Sequence, residues 1–284
     1  MTTARSVAKR GVRVAQRISN RAGHLPRRGY AHCFIEDGGV HSRLHLHHFY
    51  SLFLPDVTEP VDVHIRVYTA EGRDLGTATR RLAPFSSLTL PVAEVLAELR
   101  SDAKLGTVAV DVEPAADYSR RLVEVGPQGA IAQSPFWMGY YDDLGSVAYI
   151  HSIDQYYGSV FGIGRIAGLA FRARWHRGGA WTSKRLIETK GLRRADAFLV
   201  NHSPSAGRTT VRWLTHPGGV TLSERTTTVP AHGAIRVSVT DTDLDRAGEA
   251  PEMLRLEVDE LLTGNGKPYV MVRYGDGPFS LHHG

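Results

Sequence analysis

Histidine is the residue type in this chain best suited to chemistry. There are 14, and His41, His45, His47 and His48 crowd into one stretch. On an extended strand His45 and His47 point to the same side, spaced to hold one metal ion between two imidazoles. His151 and Asp154 stand close together further along, and either could complete the set. A catalytic zinc or iron centre needs three protein ligands and an open position. His45, His47, His151 and Asp154 are therefore a candidate site for a divalent transition metal, and with it a hydrolase or isomerase. The site requires strands over 41–48 and 147–154 to be neighbours. The plainer alternative is half-buried histidines at a sheet edge.

Aromatic residues form the second concentration. Eight of the 24 fall within the 26 positions 136–161. Phe136, Trp137, Tyr140, Tyr141, Tyr156 and Tyr157, with Asp142 and Asp143 among them, make a candidate ligand-binding set. Aromatic faces stack on the C–H faces of sugars while carboxylates accept from hydroxyls. The competing reading packs these rings into a seam between two domains. Other signals are weak. Gly162, Gly164 and Gly168 miss the dinucleotide spacing by one residue. There is no GxSxG, Walker A or HExxH motif. The pairs Asp142–Asp143 and Glu257–Asp259 lack evidence of the shared cleft that acid–base catalysis needs. The reading is of a non-catalytic chain with no cofactor, the metal site being the alternative.

These residues sit in a chain of ordinary globular composition, 42% hydrophobic and 22% charged over 284 residues. The charge is unevenly placed. Residues 1–30 hold eight basic side chains and no acid, so of the net +5 the remainder carries −3. Within them, 4–21 reads as a thin amphipathic helix with Arg5, Lys9, Arg13, Arg17 and Arg21 repeating every four residues. Such an arm could contact an anionic membrane surface or a phosphate backbone. The mildly acidic body is a poor match for nucleic acid. Cys33 is the single cysteine, which excludes an intrachain disulfide and thiolate zinc pairs. With no signal-like or membrane-length apolar run, the expected location is cytoplasmic, with the arm offering a peripheral membrane contact.

The elements that position the candidates read as strands. Val61, Val63, Ile65 and Val67 alternate with Asp62, His64 and Arg66. Strands are also expected at 77–82, 87–90 and 106–112, with a helical turn opening at Pro91. Residues 22–40 lack any period and read as a loop. The pattern of 61–92 returns at 208–239. Ile65 and Val67 fall on Val211 and Trp213, Leu88 and Leu90 on Ile235 and Val237, and Val108, Val110 and Val112 on Leu254, Leu256 and Val258, a shift of 146 or 147. A slip of one residue would turn every apolar side chain outward, so retained phase is informative. Each copy has short strands with turns at intervals typical of a β-sandwich.

The order of strand, Glu71-Gly72 turn, strand, Leu82-Ala83-Pro84, the element at 88–95 and the hairpin at 254–272 resembles bacterial immunoglobulin-like sandwiches. It is similar in particular to the sensory-rhodopsin-transducer family. That resemblance implies a binding and assembly module without cofactor or catalytic constellation.

The expected fold is all-β: two tandem β-sandwiches related by an internal repeat, behind a basic N-terminal helix or arm. The expected divisions are an arm and linker at 1–40, a first sandwich at 41–154 with an insertion at 114–145, Gly-rich connecting strands at 155–191, and a second sandwich at 192–284. The expected function is recognition of a partner protein or a glycan through the 134–157 region and the seam between the copies. A peripheral membrane scaffold is a further alternative, and self-association into a homo-oligomer stays open. Function should lie where the copies differ.

Overall fold

The structure, a computed structural model, describes residues 29–113, 136–151, 154–156, 180–183, 185–201, 206–245, 251–261 and 268–283. The arm at 4–21, Tyr157 and most of the insertion lie outside them, as does the tip of the hairpin expected at 254–272.

The first strand, β1 (Gly29–Ile35), corrects the expectation of a loop at 22–40. It pairs along its full length with β6 and sits inside a sheet. His32, Cys33, Phe34 and Ile35 are all buried, so both faces are covered and no alternation marks the strand. The first sandwich then adds β2 (Val40–His47), β3 (Val61–Thr69), β4 (Asp74–Leu82), β5 (Ser87–Pro91), helix α1 (Val92–Glu98), β6 (Leu105–Glu113), β7 (Phe136–Asp142), β8 (Val147–His151) and β9 (Asp154–Tyr156). One sheet runs β4-β3-β6-β1-β9 and the other β5-β2-β7-β8. Val61, Val63, Ile65 and Val67 face inward as their spacing predicts. Pro91 caps α1, whose Val92, Val95 and Leu96 pack on the core. Two buried side chains tie the sheets together. The Tyr140 hydroxyl donates to the Cys33 carbonyl at 2.6 Å, and the Ser42 hydroxyl accepts from Ile35 N and donates to its carbonyl.

The second sandwich comprises β10 (Trp181–Thr182), β11 (Ile187–Glu188), β12 (Leu192–Val200), β13 (Gly207–His216), β14 (Thr221–Val229), β15 (Ala234–Thr240), helix α2 (Asp241–Asp245), β16 (Met253–Val258), β17 (Tyr269–Tyr274) and β18 (Phe279–His283). Its sheets run β10-β16-β13-β14, with β11 also on β16, and β15-β12-β17-β18. Where described, the segment expected only to connect the sandwiches belongs to them: β9 pairs with β1, and β10 and β11 pair with β16. Trp213 fills this core with no exposure, and its indole N–H donates to the Val237 carbonyl across the sandwich at 3.1 Å.

The two sandwiches share one strand order. β4-β3-β6 corresponds to β14-β13-β16, and β5-β2-β7-β8 to β15-β12-β17-β18. A register shift falls between Val67 and Tyr68 in one and between Trp213 and Leu214 in the other. Phe85 and His232 occupy the same turn, both with left-handed backbone, and Gly39 matches Gly191 at the entry to β2 and β12. The copies also differ. Val67 pairs with Val108, whereas Trp213 pairs with Leu256, two residues beyond the sequence match to Leu254. A slide of two keeps every side chain on its face.

The sheet β15-β12-β17-β18 is buried on both sides. Ala195, Ala197 and Leu199 belong to the second core, while Phe198 and Val200 join the core of the first sandwich. Val270 and Val272 divide from Tyr269 and Met271 in the same way. This sheet thus lies against the end of the first sandwich formed by its turns at 36–39, 69–73 and 142–146. Ala234 N donates to the Ala70 carbonyl at 2.9 Å, Thr107 Oγ1 to the His232 carbonyl at 2.5 Å, and Phe279 N to Ser146 Oγ at 3.1 Å. Arg236 reaches Asp37 at 2.7 Å and holds that carboxyl below its usual pKa. Arg273 donates to the Gly38 carbonyl.

Candidate functional site

The outer face of β5-β2-β7-β8 carries part of each sequence candidate. Pairing aligns Thr89, His45, Trp137 and His151 in one row, Pro91, Arg43, Gly139 and Tyr149 in the next, and His41, Tyr141 and Val147 beyond. Trp137 is 41% exposed, and Val147 and Tyr149 are each 58% exposed. The Arg43 guanidinium lies 3.6 Å over the Tyr141 ring, a cation–π contact. His41 flanks the same ring, and its Nδ1 hydrogen-bonds the Glu36 carboxylate, which accepts, at 3.1 Å. Gly139 has a specific role here. The His45 and Tyr149 rings close over it, 5.1 Å between centroids, and a Cβ would fall 2.9 Å from His45 Nε2.

The aromatic set divides by strand alternation. Trp137 and Tyr141 face outward, whereas Phe136 and Tyr140 are fully buried in the core and cannot meet a ligand on that face. The buried environment pushes the Tyr140 hydroxyl's pKa well up. Asp142 is also buried: its carboxylate organises the β7–β8 turn, accepting from the Leu144 and Ser146 amides and the Ser146 hydroxyl. Burial works against ionisation there, but those bonds and Arg273 outweigh it, and the pKa is lowered. Asp143 is exposed at the turn. Tyr156 lies on β9, in the opposite sheet.

The metal candidates converge only in part. β2 and β8 share a sheet, but β7 stands between them, and Trp137 separates His45 from His151 in the row. At about 4.8 Å per strand, the β2 and β8 backbones stand about two strand spacings apart there. Asp154 is in the other sheet, paired with Ala31. His45 Nδ1 bonds the Thr89 hydroxyl at 3.1 Å. Burial, helped by Arg43 and His47, lowers the His45 pKa, and burial lowers that of His47. Among the described residues no group of three or more metal-ligating side chains comes together. Likewise, no described helix is long and apolar enough to cross a membrane.

Sequence reading overlooked what this face corresponds to. In the paired register His45 and Trp137 occupy the places of Phe198 and Tyr269. Arg43, Gly139 and Tyr149 occupy those of Asp196, Met271 and Leu281, and Tyr141 and Val147 those of Arg273 and Phe279. The second set is the face docked on the first sandwich. The motif Ile35-Glu36-x-x-Gly39-Val40, returning as Ile187-Glu188-x-x-Gly191-Leu192, was the available signal, because it aligns β2 with β12.

No protein-family model matches the chain, and no curated protein matches it. Among solved structures, it is similar to a β-glucuronidase from glycoside hydrolase family 2, at 12% identity and a TM-score of 0.18, over 92% of this chain and 25% of that one. It is also similar to a β-glucuronidase of Bacteroides uniformis, at 11% identity and a TM-score of 0.18, over 91% of this chain and 26% of that one. The exo-chitosanase CsxA of Amycolatopsis orientalis gives 9% identity and a TM-score of 0.16, over 80% of this chain and 24% of that one. The chain spans about a quarter of the length of these proteins, and no site residue transfers from them.

Proposed function

We propose that the protein is a non-catalytic binding and assembly module whose recognition face is the outer surface of β5-β2-β7-β8, and that the ligand is a protein surface. One observation carries this reading. The corresponding face of the second sandwich is already a protein-docking face, with Tyr269, Met271, Phe279 and Leu281 buried there, while Trp137, Val147 and Tyr149 present apolar area to solvent. Isolated exposed apolar side chains are ordinary, but a contiguous group on one sheet marks an interaction surface. The shared strand order and matched left-handed turn residues support an internal duplication, and with it the immunoglobulin-like kinship read from the sequence. The division into two sandwich domains and a cytoplasmic location are parts of the same reading.

The test is a photo-crosslinking phenylalanine analogue placed at position 149, with position 226 on the far sheet as control, in cells expressing the full chain. Protein adducts at 149 that weaken with Trp137→Ala are expected. A second reading draws on the rings of Trp137, Tyr149 and Tyr141 on one face beside Arg43, a surface that also suits a saccharide. Trp137-dependent binding on a glycan array, with no protein adduct at 149, would replace the first reading by this one.

A further inference from the structure

Exposed large apolar side chains occur on both sandwiches, with Leu52 and the turn residue Leu144 among those of the first. In the second sandwich, among the described residues, they are Leu186, Val220 and Tyr274. Tyr274 closes β17, Val220 sits in the β13–β14 turn, and Leu186 immediately precedes β11. Together they mark the end of the second sandwich that corresponds to the docking end of the first, where the turns at 36–39, 69–73 and 142–146 receive the sheet β15-β12-β17-β18. In the first sandwich Trp137, Val147 and Tyr149 lie on the face corresponding to that docked sheet. Phe85, 62% exposed, occupies the turn position held by His232 at the internal interface. Among the described residues there is therefore one filled interface and two unfilled halves of the same kind, one on each sandwich.

Charge follows the same polarity. Inside the molecule the docking sheet brings Arg236 and Arg273, and the receiving end offers Asp37, the Gly38 carbonyl and Asp142. The free face carries Arg43 and His41, and the free end exposes Glu188, Glu252 and Asp276 alongside Arg185 and Lys190. A groove of about 650 Å³ opens beside that end, lined by Glu188, Gly191, Leu192, Leu244, Glu252 and Met253.

We infer that the partner of the recognition face is a second copy of this chain. The outer face of β5-β2-β7-β8 in one molecule docks on the Leu186–Val220–Tyr274 end of the next, repeating between chains the contact made between the two sandwiches. This rests on the protein-docking reading of that face and specifies its partner. Such an interface is heterologous. Each molecule keeps one free half after pairing, so association continues head to tail into open chains unless the rotation closes a ring.

Sedimentation velocity on the purified full chain tests this, with Tyr149→Glu on the face and Val220→Asp on the end. Both side chains are exposed, and circular dichroism checks that each variant folds. The wild type is expected to show a ladder of species growing with concentration. Each variant should weaken self-association by at least about tenfold, the effect of losing one well-buried contact. Mixed together, the variants should form a discrete one-to-one dimer, because Tyr149→Glu retains a working end and Val220→Asp a working face. A wild type that stays monomeric throughout overturns the inference, as does a mixture that remains two monomers. Disruption by Tyr149→Glu with none by Val220→Asp indicates a closed face-to-face dimer and also overturns it. A monomer in solution whose position 149 still crosslinks to other proteins in cells removes self-assembly alone. Absence of both removes the recognition face as well.

Discussion

The imidazole of His232 stacks on the ring of Tyr68, 4.7 Å between centroids and 18° between planes. It joins the turn before β15 to the end of β3, and so one sandwich to the other. Its pKa lies below the ordinary 6.5, first because of burial and then because of Arg66, with Asp74 opposing. The unfolded chain therefore takes up this proton more readily than the folded one. The stability that neutral His232 contributes is complete above about pH 6.5 and is lost as pH falls through the lower folded value. Urea denaturation midpoints should drop on acidification across this window. His232→Gln should flatten that slope; an unchanged slope would show that other groups govern it.

Gly72 is expected to be the most sensitive position of the same contact. Its φ of +80° is left-handed, and a Cβ would fall 2.0 Å from the Ala231 carbonyl oxygen. Gly72→Ala should cost about 2–4 kcal/mol, combining backbone strain with displacement of the facing turn. Gly38 has a φ of +61° but open space around it, so Gly38→Ala should cost only about 1–2 kcal/mol. Chemical denaturation of both variants measures the difference. Equal costs would mean the turn at 231 moves aside freely.

Alternation along β7 predicts a contrast between adjacent residues. Met138→Ala removes a fully buried side chain and should cost about 2–5 kcal/mol. Trp137→Ala, on the exposed face, should cost no more than about 1 kcal/mol. If the two denaturation midpoints fell equally, Trp137 would be a packing residue and not part of a recognition surface.

Cys33 is buried with no exposure, and burial drives its thiol pKa far upward, with Arg236 opposing. A thiol reagent should leave the native chain unmodified at neutral pH and react fully in denaturant. Rapid native labelling would show that the two sandwiches separate often enough to expose β1.

Where one face of a strand meets solvent, the sequence was readable. Val61 to Val67 announce an inward face because Asp62, His64 and Arg66 lie opposite, and the return of the pattern at 208–239 brought out the second sandwich. β1 stayed hidden because both of its faces are covered, which removes the polar half of the alternation. The same physics concealed the docking sheet: nothing in the sequence sets Phe198 and Val200 apart, and only the folded chain shows that they leave their own sandwich for the other. Of the candidate aromatic set, Trp137 and Tyr141 lie on the outer face and Phe136 and Tyr140 in the core, a division that a dense run of rings masks in the sequence. The register that sets Trp137 between His45 and His151 is a non-local pairing, with no trace in local spacing.

The sheet buried on both sides makes the two halves unequal in their independence. β1 to β9 end at Tyr156, before β12 begins at Leu192, so the receiving end can be assembled during synthesis ahead of the sheet it will hold. That end offers turn backbone and polar side chains, with the rings of Tyr68 and His32 stacking on His232 and Tyr269. Residues 181–283 produced alone would instead bare Phe198, Tyr269, Met271, Phe279 and Leu281 to water. In the full chain, covering that face of the sheet falls to the N-terminal half.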